Sequence, residues 1–222
     1  MPANVRDVLK INIVFVGISL LNDPTEVRAF SEAIGADVAL AETGLVLGFP
    51  PGPPMTGRKL ALQRDRINID LVPDRTVIER EFPADDDLER LAKIAGQAWE
   101  HTRSKGTPRA FGYNLELVYD QTSGHAASDY IGQRLFGEGN FAPEGWTLQG
   151  GAGRMFFDSE FGRWTIAVEP RFQDESATRV FLNLNLHKAE QRVPGQDEML
   201  QSFKRIWEEA SNFVHRLDGG AQ

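Results

Sequence analysis

The segment Leu60-Ala-Leu-Gln-Arg-Asp-Arg-Ile-Asn-Ile-Asp-Leu71 carries apolar residues on even numbers at Leu60 and Leu62, then on odd numbers at Ile67, Ile69 and Leu71. Successive side chains of a strand point to opposite faces of a sheet, so one uninterrupted strand would split these groups between core and solvent. A turn or bulge at Arg64-Asp65 removes the conflict and predicts a hairpin. Pro73-Asp74 predicts a second turn, and Val77 to Phe82 a further strand. Strands joined by such short turns pair antiparallel.

The same reading extends to both sides. Lys10 to Ser19, rich in Ile, Val and Phe, is a strand buried on at least one face. Asn22 or Asp23 can cap a helix with Pro24 at its first position and Gly35 past its end, with Val27, Phe30 and Ile34 at helical spacing. Val38 to Leu47 is a strand ended by Pro50-Pro-Gly-Pro-Pro54, a rigid surface loop that must lie outside any central ladder. Asp85 is the expected cap of a helix whose stripe is Leu88, Leu91, Ala92, Ala95, Ala98 and Trp99.

Beyond Gly106 the order returns. Phe111, Tyr113, Leu115, Leu117 and Tyr119 alternate against Asn114, Glu116 and Asp120 in a half-buried strand. Thr122 or Ser123 can cap a short helix over Ala126 to Phe136, which Gly137 ends. Strands are expected around Trp146 and Leu148, Met155 and Phe157, Trp164 to Val168, and Val180 to Leu186. A last helix places Leu200, Phe203, Ile206, Trp207, Ala210 and Val214 on one side.

Both halves thus read strand, helix, four strands, helix. A shift of 108 positions lays Trp99 on Trp207 and sets Ala92, Ala95 and Ala98 against Leu200, Phe203 and Ile206. Two repeats are expected, 1–106 and 107–222, forming one compact pseudo-symmetric unit. Helices with one apolar stripe and strands with one apolar face predict an α+β architecture: an antiparallel, curved sheet with helices packed on one face.

This element order resembles the fold of the TATA-box-binding protein. Separately, Leu60-Ala-Leu-Gln-Arg-Asp-Arg66, the strand ended by Pro83 with its following helix, and Phe111-Gly-Tyr-Asn-Leu-Glu116 resemble a loosely defined family of uncharacterised bacterial proteins. That second resemblance implies no activity and no site residues.

Composition narrows the function classes. The 222 residues are 41% hydrophobic and 25% charged, as in an ordinary globular protein, and fourteen Phe and four Trp supply packing mass. A formal charge of −8 repels phosphate backbones, so nucleic-acid binding is not expected. The saddle that the first resemblance would suggest needs basic groups and apolar wedges, which strand faces of mixed charge do not supply. The chain has no cysteine, which excludes thiolate chemistry, disulfides and cysteine metal sites. No apolar run approaches a membrane span of about 18 residues, and the first residues lack a signal-type pattern, so a cytoplasmic bacterial-type protein is expected.

Motif chemistry is sparse. Gly150-Gly-Ala-Gly-Arg154 leads into a strand and not a helix, so it reads as a hairpin turn instead of a phosphate cradle. His101, His125, His187 and His215 form no HExxH or HxH pair, and no GxSxG elbow occurs. Neither a cofactor nor a metal is expected. The carboxylate pairs Asp70 with Asp74, Glu79 with Glu81, and Asp158 with Glu160 read as solvated strand ends.

The remaining candidates are polar rows on strands. Asn183, Asn185 and His187 share one strand face opposite Val180, Leu182, Leu184 and Leu186, and Asn114 and Glu116 form a similar row. These five residues are the candidate binding strip of a non-enzymatic interaction or regulatory protein that contacts a protein partner or a second copy of itself. The alternative is a small-molecule-binding protein or cofactorless enzyme with a pocket between sheet and long helices, lined by Trp99, Trp164 and Trp207.

Overall fold

The computed structural model describes residues 5–17, 24–34, 41–46, 55–72, 74–136, 151–171, 178–188 and 192–219. The protein is α+β. Its strands are β1 (Val5–Val16), β2 (Ala41–Val46), β3 (Met55–Leu62), β4 (Ile67–Val72), β5 (Arg75–Glu81), β6 (Ala110–Asp120), β7 (Gly153–Ser159), β8 (Gly162–Pro170) and β9 (Arg179–Lys188). Its helices are α1 (Pro24–Ile34), α2 (Asp87–Thr102), α3 (Ala127–Phe136) and α4 (Gln196–Leu217), with one 3₁₀ turn at Arg103–Lys105. The hydrogen-bonded strand order is β2-β3-β4-β5-β1-β6-β9-β8-β7. The expected strand at Trp146 and Leu148 and the proline loop lie outside the described residues.

Two compact units share this framework: one built from Met1–Leu9, Asn114–Leu186 and Arg205–Gln222, the other from Lys10–Tyr113 and His187–Lys204. In the second of these, the parity of the opening segment sets the register. Leu62 pairs with Ile67 across a turn at Gln63–Arg66, and Leu60 lies opposite Ile69, Ile69 opposite Ile78, and Ile78 opposite Ile13. These four aliphatic side chains are fully buried and form one row across four antiparallel strands. Each contributes about 1.5–3 kcal/mol by leaving water.

Helix α2 covers apolar residues with Leu88, Leu91, Ala92, Ile94, Ala95 and Ala98, all buried. Its start differs from expectation. The cap position is Asp86, which makes no side-chain cap bond. Asp87 instead accepts from the Ala84 N–H at 2.8 Å and pairs with Arg80 at 2.8 Å. The carboxylate that closes the turn is the one within reach of a cation from β5, and Asp85 is not. Gly96 lets α2 approach the first residue of α4, since a Cβ there would lie 3.2 Å from Gln196 Cβ. Glu198 accepts from the Gly195 N–H at 2.9 Å, a capping arrangement at the head of α4.

The other unit packs β6, β8 and β9 with α3 and the second half of α4. Leu115, Leu117, Tyr119, Val180, Leu182, Leu184 and Val168 are buried together with Tyr130, Ile131, Ile206, Ala210 and Val214. Tyr119 donates to Tyr130 Oη at 3.5 Å, and Tyr130 donates to Asp218 Oδ1 at 2.8 Å. That chain of hydroxyls ties α3 to the residue just past α4. Helix α3 begins later than Thr122 or Ser123 would cap it. The Ser123 N–H donates to Gln121 Oε1 at 2.6 Å, and the Gln121 amide donates to the His125 carbonyl at 2.5 Å, so Gln121 organises the approach.

Candidate ligand-binding site

The polar row on β9 is half-buried at Asn183 and Asn185 and exposed at His187. Asn114 and Glu116 on β6 are half-buried as well. The Asn185 amide donates to Asn114 Oδ1, so two of the five candidate residues meet and use hydrogen-bonding capacity on each other. The neighbouring polar groups behave alike. Arg179 and Arg6 both pair with Asp120, at 3.3 and 3.8 Å.

Glu79 corrects the reading of its carboxylate pair as solvated. Its side chain is only 13% exposed. It lies opposite Asn12 and Asn68 in the ladder, and burial pushes its carboxyl above the ordinary value, a shift that Lys10 opposes and Asp70 reinforces. Lys10 Nζ stands 3.9 Å away. This is a single strained acid, not a pair with divided roles. Among the described residues no three His, Asp or Glu side chains converge to hold an ion.

A different feature dominates the unit that holds α3. A cavity of about 720 Å³ lies between the hairpin of β7 and β8, Leu184 of β9, and the second half of α4. Phe157, Phe161, Trp164, Ile166, Leu184, Phe213 and Leu217 make its apolar wall. The pairing of Phe157 with Trp164 and Met155 with Ile166 puts alternate residues of the two strands on the same side. Trp164 is held in place because its indole N–H donates to Ser159 Oγ at 3.0 Å.

Helix α4 supplies the polar part. Arg205 and Glu209 pair at 2.9 Å across one helical turn, and Arg216 reaches the other oxygen of Glu209 at 3.6 Å. The Arg205 guanidinium sits 4.3 Å over the Phe161 ring. Its Nε–H is buried and no acceptor satisfies it. Two guanidinium groups therefore share one carboxylate; Glu160, the other acid lining the cavity, is exposed on the turn.

Of the three tryptophans expected to line a pocket, Trp164 does so here. Trp99 stacks on Phe15 with ring centres 6.4 Å apart and lines a separate, smaller hollow with Gln97 and His101. Trp207 has a buried indole N–H without a partner and does not line the cavity. The expectation of one tryptophan-lined pocket is corrected to that extent. Arg205, Glu209, Phe213 and Arg216 were not singled out by sequence, yet they recur at helical spacing beside the apolar stripe. That second stripe, with an aromatic residue among its charges, was the available signal.

Neither a protein-family model nor any curated protein matches this chain. No helix among the described residues is long and apolar enough to cross a membrane.

Proposed function

We propose that the protein binds a small amphipathic molecule with an apolar body and one anionic group, in the cavity between the β7–β8 hairpin and α4. The observation that carries this reading is an apolar cavity of about 720 Å³ whose wall includes the partly exposed guanidinium groups of Arg205 and Arg216. An anionic oxygen of a ligand would accept from the terminal N–H groups of these partly exposed guanidiniums in a charge-assisted bond. Both arginines lean on the single carboxylate of Glu209, while Glu160, the second acid of the lining, is exposed on the turn, so a ligand anion would compete with Glu209 for them. The volume lies within the range of drug-sized ligand sites, about 300–1,000 Å³.

Binding accounts for this geometry better than catalysis does. The Ser159 hydroxyl is already engaged with Trp164, the Phe161 N–H and the Gly162 carbonyl. Glu209 is engaged by two guanidinium groups, Arg205 at 2.9 Å and Arg216 at 3.6 Å. The interaction reading would use the sheet's polar row, where Asn185 and Asn114 already spend one donor and one acceptor on each other.

Anilinonaphthalene sulfonate, an aromatic anion whose fluorescence rises in apolar surroundings, tests the proposal. Saturable binding of one dye per chain is expected, displaced by decanoate and not by decylamine. Arg205→Ala should weaken dye binding about tenfold, the loss of one charge-assisted contact. Leu184→Trp adds bulk at the buried floor of the cavity and should abolish dye binding, with far-UV circular dichroism showing that the variant is folded. Dye binding that survives both changes, or displacement by decylamine as readily as by decanoate, would defeat the assignment.

A further inference from the structure

The strand order ends at β7, which among the described residues has β8 as its only ladder neighbour. Its sequence is Gly153-Arg-Met-Phe-Phe-Asp-Ser159, and it exposes two large apolar side chains, Phe156 at 67% and Phe157 at 46%. Of the described residues, only Phe82 is a comparably exposed large hydrophobic side chain. A strand edge that has no ladder neighbour among the described residues and carries exposed apolar side chains is a template for pairing with another chain.

We propose that β7 pairs with β7 of a second copy, antiparallel and centred on Phe156. The charges decide the occupant and the register. Arg154 and Asp158 lie two residues either side of Phe156 and on the same strand face. A two-fold axis at Phe156 sets Arg154 opposite the partner's Asp158, Phe156 against the partner's Phe156, and Asp158 opposite the partner's Arg154. Aromatic pairs and opposite-charge pairs are the favourable cross-strand combinations. The patch is complementary to itself, as a two-fold interface requires. Shifting the axis by one residue loses both ion pairs.

The backbone agrees. Glu160 and Phe161 form a two-residue turn, with Ser159 paired to Gly162. A turn of this length closes on a hydrogen-bonded pair, after which hydrogen-bonded positions alternate along the ladder. Ser159, Phe157 and Met155 thereby direct their amides and carbonyls to β8. Arg154, Phe156 and Asp158 direct theirs to the outer edge, and these three face each other in the proposed register. Asp158 already holds Arg163 at 3.1 Å in an exposed pair, and Arg154 has no ion pair within the described residues, so each carries charge available to a second chain. On the other face of β7 the partner's Met155 would come opposite Phe157, which lines the cavity.

Sedimentation velocity and light scattering on the full chain test this. The expected result is a concentration-dependent species of twice the 24.7 kDa chain mass. Arg154→Asp and Asp158→Arg each place like charges opposite one another twice, and each should raise the dissociation constant about tenfold or more. The double variant Arg154→Asp/Asp158→Arg restores complementarity across the axis and should recover the dimer, although Asp158 no longer pairs with Arg163. Unchanged thermal unfolding of the single variants would show that the loss is one of association. A monomer at every concentration overturns the proposal, as does a dimer that is indifferent to both single changes or is not rescued by the swap.

Discussion

Glu79 shows how one ladder position can set a titration. Facing Asn12 and Asn68 on a half-buried surface, it gains one cation at 3.9 Å and loses most of its water. Burial outweighs Lys10 and raises its pKa. A carboxyl with a raised folded pKa favours the folded state when protonated. Its contribution is complete below the ordinary carboxylate range and is lost as pH rises through the folded value. Glu79→Gln, which stays neutral, should therefore melt higher than the parent at pH 7, and the gap should close near pH 4. Thermal unfolding at both pH values checks this; a gap independent of pH would remove the electrostatic cause. Tyr130 is a second such position. Burial pushes its phenol up to about 12, a shift that the hydrogen bond from Tyr119 opposes and Asp218 reinforces, so it remains a donor to Asp218 throughout the neutral range. Tyr130→Phe leaves Asp218 without that donor and should cost about 1–3 kcal/mol. In a chain of this size each kcal/mol corresponds to about 2–4 °C in Tm.

At the scale of elements, the row Leu60, Ile69, Ile78 and Ile13 fixes how β3, β4, β5 and β1 align. Ile78 is central to it and fully buried, so Ile78→Ala should destabilise by about 2–5 kcal/mol, whereas Ile78→Val should cost about 0.5–1.5 kcal/mol, read by urea unfolding. Equal effects of the two would mean that the site collapses around a cavity and that shape does not matter there. This register was legible because alternation has period two and the even-to-odd switch between Leu62 and Ile67 admits few solutions. The head of α2 was less so: three aspartates in succession could each cap it, and Arg80, from another strand, selects Asp87. The cavity was illegible for a related reason. Arg205 and Glu209 one turn apart look like an ordinary solvated pair until the β7–β8 turn brings Phe161 beneath the guanidinium. The Asn114–Asn185 contact likewise depends on the neighbouring of two strands 71 positions apart, which alternation within either strand does not encode.

At the scale of the whole molecule, the order of the described elements followed from the sequence, while the compact units draw on segments far apart in the chain. One unit takes three segments and the other two, because β1, β6, β9 and α4 each contribute residues to both. The ligand reading makes a prediction that distinguishes these units. A ligand that binds only the folded state at about one hundred times its dissociation constant stabilises by about 2.7 kcal/mol. For a chain of this length, that is a rise in Tm of about 5–11 °C. With decanoate as the probe, amides that exchange by local opening should slow along β7, β8 and the second half of α4, where the lining residues lie. Those of β3, β4 and β5, which contribute nothing to the cavity, should slow only to the extent that they exchange through global unfolding. Slowed local exchange confined to α1 and α2, beside the smaller hollow at Trp99, would place the ligand there and refute the role given to Arg205 and Arg216.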